Sequence, residues 1–177
     1  MLFQTIHTDR LTLKIISSDD RDFILSHFSN NTVNEYLFDS TPPITLQDAD
    51  NIIAPYIIPE PRTQCRWILV RKEDGTKIGT CGFHCWNPAD NCCEIGYDLH
   101  PAYWGKGYMT EALNTIISFA ESQMKINQIR ACIYPQNIDS VNLAKKLGFE
   151  FQGQIKEERF KGKSYPHKIY VYKTKKP

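Results

Sequence analysis

The stretch EIGYDLHPAYWGKGYMTEAL, residues 94–113, decides the fold. It opens as a strand-like run, passes glycines at 105 and 107, and goes straight into helix-forming residues. Glycine loses more backbone freedom on folding than any other residue, so two of them before a helix point to close approach to the backbone. From Tyr108 to about Met124, apolar residues recur at 112, 113, 116, 117, 119 and 120, the period of a helix with one buried face. The first amides of such a helix have no partner within it, and the helix dipole makes that end positive. Strand, glycine-rich turn and helix start together make a place for an anion, a phosphate above all.

Upstream, CRWILVR, TKIGTCGFHCW and CCEIGYDL are separated by turn signals at Glu73-Asp74-Gly75 and Asn87-Pro88, and predict a three-stranded antiparallel meander over residues 65–99. RLTLKII, residues 10–16, alternates like a half-buried strand. SSDDRDFILSHF reads as a capped helix, and NNTVNEYLFDSTPP as a loop with little regular structure. A second helix is predicted from Thr45 to about Ile58, with Thr45 and Asp48 as a capping pair and a break or kink at Pro55. Downstream, IRACIY is a short buried strand and IDSVNLAKKL a helix closed by Gly148. FEFQGQIK and HKIYVYK finish as two strands. The fold class is α/β: a single domain over residues 1–177, built on one mixed sheet flanked by helices.

The chain has 177 residues, 41% hydrophobic and 23% charged, enough apolar material for a core. No run of 18 apolar residues occurs, so no membrane span or membrane partner is expected. The opening MLFQTIHTDRLTLKII lacks a charged leader followed by an apolar block, which predicts no secretory signal and a cytoplasmic location. A net charge of +1 argues against a nucleic-acid surface. Residues 1–60 carry 3 basic and 9 acidic side chains, and residues 156–176 carry 8 basic and 2 acidic. The six cysteines read as reduced thiols. Four cluster around His84, but a zinc site wants two tight pairs, whereas Cys81 and Cys85 in a strand point to one face and Cys92 and Cys93 to opposite faces. No metal is expected; the thiols read as buried or half-buried.

Three phosphate ligands compete for the glycine turn. A P-loop needs GxxxxGK followed by Ser or Thr, which is absent. A dinucleotide fold wants a further glycine where Thr110 stands, and an N-terminal βαβ unit. The third is the diphosphate of coenzyme A. EIGYDLHPAYWGKGYMTEAL, followed by PQNIDSVNLAKKLGF, resembles the GNAT family of acyl-CoA-dependent N-acetyltransferases. TDRLTLK, IGTCGF and FKGKSYPHKIYVY further resemble its branch that acetylates ribosomal-protein N-termini, and the motifs keep their order along nearly the whole chain.

The resemblance implies a GNAT-like mixed sheet of about seven strands with four helices and splayed central parallel strands. It implies acetyl-CoA as co-substrate, with no metal, and an amine acceptor as partner, the oligomeric state staying open between monomer and homo-oligomer. The family's phosphate loop, Gln/Arg-x-x-Gly-x-Gly/Ala, lands on Trp104, Gly107 and Met109, within a cofactor segment Trp104, Gly105, Lys106, Gly107, Tyr108, Met109 and Thr110. Met109 is larger than the family's small residue there. The backbone around Tyr97 to Leu99 is expected to pair with the pantetheine amides like an added strand.

Acetyl transfer to an amine needs a neutral amine, a polarised carbonyl and a satisfied leaving thiolate. An α-amine is roughly one-sixth neutral at pH 7, a lysine amine roughly once in two thousand, so a base helps. By the resemblance, Glu94 is that base, and its apolar neighbours predict a raised pKa. The family's general-acid tyrosine falls at Ala144, which leaves Ser140 as the substitute acid and Asn137 as the residue orienting the pantetheine arm; both also read as an ordinary helix start. Glu157 and Glu158 are alternative bases that read more simply as surface residues. Glu35 and Asp39, in the acidic N-terminal region, are predicted to face a cationic acceptor: an N-terminal α-amine, with a polyamine or amino-sugar as the alternative. A non-catalytic acyl-CoA sensor or a nucleotide-binding protein stays open beside these.

Overall fold

The computed structural model describes residues 2–38 and 40–174. Among them, eight strands form one mixed sheet: β1 (Ile6–His7), β2 (Leu11–Ile15), β3 (Cys65–Arg71), β4 (Lys77–Asn87), β5 (Cys92–Leu99), β6 (Gln128–Ile133), β7 (Glu150–Phe160) and β8 (Lys163–Lys173). The order is β1-β2-β3-β4-β5-β6-β8-β7. Five helices flank it: α1 (Arg21–Phe28), α2 (Asn31–Asn34), α3 (Leu46–Ile57), α4 (Tyr108–Ser122) and α5 (Ile138–Lys146). The fold class and the 65–99 meander are as the sequence predicts.

The additions to the sequence reading are short. β1 spans 2 residues and α2 spans 4, too few to show a period. α2 stands in the segment read as loop, where the Asn30 side chain accepts from the Thr32 and Val33 amides and closes one turn. In α3 both halves of the Thr45–Asp48 capping box form. The predicted break at Pro55 does not occur there: the helix runs on to Ile57. Proline costs a helix the bond to the carbonyl four residues back, and so near a helix end that loss is one bond. β7 and β8 are longer than read and meet at Lys161-Gly162, both left-handed (φ 48° and 77°), as a tight hairpin turn demands.

The sheet buries both faces. On one, Leu11, Leu13, Trp67, Phe83 and Ile95 pack beneath Leu113, Ile116 and Ala120 of α4. On the other, Ile16 and Ile68 meet Ile24 of α1 and Ile53 of α3. The expected splay lies in the middle. β5 and β6 pair in parallel only from Cys92↔Gln128 to Glu94↔Arg130. β5 then follows β4 out to Leu99↔Gly79, while β6 follows β8 out to Ile133↔Lys168. Among the described residues, β5 has a strand on one side only from Ile95 onward, and its other edge faces an open V. Among the described residues no helix is long and apolar enough to cross a membrane.

Candidate active site

The start of α4 closes one end of the V. Gly105 and Gly107 are both left-handed, at φ +70° and +80°, and Gly107 is the N-cap residue with no side-chain cap. A Cβ at Gly105 would meet nothing within 4 Å, and one at Gly107 only Arg10 Nη2 at 3.4 Å. Backbone conformation, more than crowding, therefore requires glycine at both, and the space beside them is open. The amides of Tyr108, Met109 and Thr110 stand at this uncapped helix start, as an anion site needs.

The turn is braced from behind by the TDR segment. Glu111 Oε1 accepts from Thr8 Oγ1 (2.6 Å) and the Arg10 amide (2.8 Å), and its Oε2 accepts from Arg10 Nε (2.7 Å). Arg10 Nη1 donates to the Lys106 carbonyl at 2.9 Å. Burial would raise the Glu111 carboxyl; Thr8 and Arg10 outweigh it and hold it below the usual range. Two cofactor residues behave differently from the reading. The Lys106 side chain turns back to the Ala102 carbonyl (2.9 Å) and does not line the cleft. Trp104 Nε1 donates to the Leu99 carbonyl at 2.7 Å, so the free strand edge is shorter than Tyr97 to Leu99 and stops before that carbonyl.

The V opens into a cleft of about 930 Å³. Tyr97, Leu99, Trp104, Gly105, Gly107, Tyr108, Met109, Thr110, Asn137, Ser140 and Glu35 all line it; Glu94 does not. Met109 is also buried in the core, which gives its bulk a place. Asn137 caps α5, its Oδ1 accepting from the Ser140 amide at 3.2 Å. Ser140 is thus not the cap: its Oγ lies 2.8 Å from the Tyr97 hydroxyl and joins α5 to β5 across the V. Burial pushes the Tyr97 hydroxyl up to about 12, so it stays protonated at neutral pH. In the sequence, Tyr97 shows only a backbone role. The alternation that puts it on the inward face with Cys93 and Ile95 was the available signal.

Glu94 points to the other face of β5. His84 Nε2 lies 3.2 Å from its carboxylate and Cys132 Sγ lies 3.9 Å away. The predicted rise in its pKa is reversed: the His84 hydrogen bond outweighs burial, and Lys156 and Arg130 add to it, so the carboxyl sits below its usual range. A second buried carboxylate on this face escaped the reading. Asp98 accepts from Thr80 N (3.0 Å) and Oγ1 (2.6 Å), and lies 2.6 Å from Nε2 of buried His27, tying α1 to β5. Glu157 bonds Ser164, and Glu158 pairs with Lys156 at 2.8 Å.

On the acceptor side, Phe38 stacks on Tyr165 (centroids 3.8 Å apart, planes 8° apart) and meets Tyr134 edge-on, so the segment after α2 touches β8. Asp39 lies outside the described residues. All six cysteines are free; Cys65, Cys81 and Cys93 are buried, but Cys85 is exposed and does not share the buried face of Cys81. It stands at a register shift of β4 in the left-handed region, φ 52°, which breaks the alternation the sequence reading relied on.

The profile described as Acetyltransferase (GNAT) domain matches residues 10–150. The chain belongs to the GNAT acetyltransferase family. An uncharacterised N-acetyltransferase of Bacillus licheniformis, p20, is 32% identical to this acetyltransferase over 162 residues, 90% of each chain. Among solved structures, the ribosomal-protein-S5-alanine acetyltransferase of Vibrio fischeri superposes with a TM-score of 0.81 at 19% identity, covering 96% of each chain. The spermidine N-acetyltransferase of Vibrio cholerae, solved with CoA and spermine, superposes at 0.80 and 19% identity, covering 93% of this chain and 95% of its own. At such identities the two structures establish the shared fold.

Proposed function

We propose that this GNAT acetyltransferase moves an acetyl group from acetyl-CoA to a primary amine, the N-terminal α-amine of a peptide or protein, in the cytoplasm, with residues 1–177 as one catalytic domain. One observation carries the reading: the unpaired edge of β5 and the uncapped start of α4 open on the same cleft. The edge before the Leu99 carbonyl suits the amides of a pantetheine arm, by strand addition. The amides of Tyr108, Met109 and Thr110 suit its diphosphate. Acetyl-CoA, when bound, supplies the activated thioester carbonyl.

The chain's own groups then have three tasks. Glu94, anionic and on the far face of β5, takes the amine proton through water, since it stands outside the cleft lining. The Tyr97–Ser140 hydroxyl pair, inside the cleft, holds a proton for the departing sulfur. Glu35, exposed at the cleft, attracts a cationic acceptor, and Asp39 is proposed to join it. An α-amine suits a carboxylate of lowered pKa, because roughly one-sixth of it is already neutral at pH 7.

A polyamine is the second reading. The Phe38–Tyr165 stack, with Tyr134 edge-on, joins the segment after α2 to β8, and such aromatic rings suit a slender cation. Mass spectrometry of an acceptor panel with acetyl-CoA decides between them. Acetyl label on the α-amine of short peptides is the expected result; label on spermidine alone, or on lysine side chains, overturns it.

A further inference from the structure

The face of the sheet opposite the Tyr97 hydroxyl gathers His84 and Cys85, neither of which acetyl transfer requires, around Glu94. His84, Cys85 and Glu94 each offer a ligand atom, and these atoms all lie within 4.8 Å of one another. His84 and Glu94 are register partners on β4 and β5, and Nε2 lies 3.2 Å from the carboxylate. The imidazole sits over Gly96, where an added Cβ would come within 3.4 Å of its Cε1; a bare strand position gives the ring its seat. Cys85 would point away from His84 in a regular strand. The register shift between His84 and Asn87, with Cys85 at φ 52°, brings its sulfur to the same side as the imidazole. Adjacent residues thus serve one spot, which only a bulge allows.

We propose that His84, Cys85 and Glu94 form a binding site for a borderline-soft divalent cation of the zinc class, and that occupancy takes Glu94 out of acetyl transfer. Zinc takes imidazole nitrogen and carboxylate oxygen at about 2.0–2.2 Å and thiolate sulfur at about 2.3 Å, so tetrahedral ligands stand roughly 3.3–3.6 Å apart. The 3.2 Å separation of His84 and Glu94 lies just below that range, and the Cys85 sulfur, within 4.8 Å of both, has only a short approach to make. Three protein ligands leave a fourth position for water, or for the thiol of Cys132, whose sulfur is 3.9 Å from the Glu94 carboxylate. Zinc binds the thiolate form of cysteine, so coordination by Cys85 displaces its thiol proton. Lys156 and Arg130 oppose a cation here, but the Lys156 ammonium is held by Glu158 at 2.8 Å. Coordination ties up the lone pairs that Glu94 would use toward an amine. The inhibitory part of the proposal therefore rests on Glu94 being the base; the binding part does not.

Cobalt(II) and zinc(II) are the probes, with reduced, metal-free protein. Cobalt is expected to give a thiolate-to-metal charge-transfer band at one equivalent per chain, displaced by zinc, and zinc to inhibit turnover. Cys85→Ser should lose the band and need at least tenfold more zinc for half-inhibition, with basal turnover unchanged. Cys85→Gly, whose backbone accepts a left-handed φ, should behave alike and melt no lower, so a folding defect cannot stand in for the result. Cys92→Ser should keep the band. A band that survives both Cys85 variants, or no band in the unaltered protein, overturns the site. If instead Glu94→Gln turns over normally while the Cys85-dependent band is present, the cation site stands and the base assignment falls.

Discussion

Gly107→Ala tests the turn that opens the cofactor end of the cleft. Gly107 sits at φ +80°, ψ 1°, as the N-cap of α4. An L-residue in that region costs about 1–2 kcal/mol. Direct crowding is small, because the new Cβ meets only the flexible end of Arg10 at 3.4 Å. That guanidinium also holds the Lys106 carbonyl, so either the strain persists or the turn relaxes and the first amides of α4 swing. For a chain of this size about 1 kcal/mol moves the melting temperature by about 2–4 °C, so a fall of about 2–8 °C is expected. Calorimetry should show acetyl-CoA binding at least tenfold weaker, about 1.4 kcal/mol. Gly107→Asn separates the two causes: asparagine tolerates the left-handed region, so most of the melting temperature returns, while its side chain enters the ligand's space and affinity stays low. An alanine variant with unchanged melt and unchanged affinity would refute both the strain argument and the place of this loop in the site.

Glu94→Gln should lower kcat about a hundredfold with acetyl-CoA affinity unmoved, read by steady-state rates beside calorimetry. Ser140→Ala should slow turnover yet melt like the parent, because Asn137 is the cap; Asn137→Ala should instead lose about 1 kcal/mol of stability. Making Glu35 neutral, alone and with Asp39, should raise KM for a cationic acceptor, an effect that fades with salt. Asp20 supplies the pH test: burial would raise its pKa, but Lys77 (2.6 Å), Ser17 and Lys14 together hold it below the usual carboxylate range. A folded pKa below the unfolded one gives stability that is present above the unfolded value and is lost as pH falls through the folded one. Asp20→Asn should therefore lower the melting temperature at neutral pH, with the gap to the parent closing in acid melts.

Most of the fold was legible because its elements are long enough to show a period or are marked by a cap. The helical spacing from Tyr108, the Thr45–Asp48 box and the left-handed Gly148 after α5 all act within a few residues. What escaped was shorter than one period or set by a distant partner. α2 is one turn nucleated by a single asparagine. β7 and β8 extend beyond their apolar stretches because each has the other to pair with through the Lys161-Gly162 turn, so ladder bonds continue where hydrophobic pattern stops.

The site divides along the same line. Its backbone half was readable, since left-handed glycines before a helix mark themselves in sequence. Its side-chain half depends on which groups meet across strands, and single-chain pattern is blind to that. Glu94 between Cys93 and Ile95 looks apolar along the chain, yet the residue that governs its charge is His84, ten positions earlier and directly across the ladder. Ser140 looks like a cap within its own helix, yet Asn137 does that work and Ser140 answers to Tyr97 on another strand. Cys85 shows the limit most plainly. Strict alternation sends it to the buried side with Cys81, and one register shift in β4 turns it out beside His84 and Glu94. A bulge of one residue changes which side chains share a face, and with them the chemistry available there.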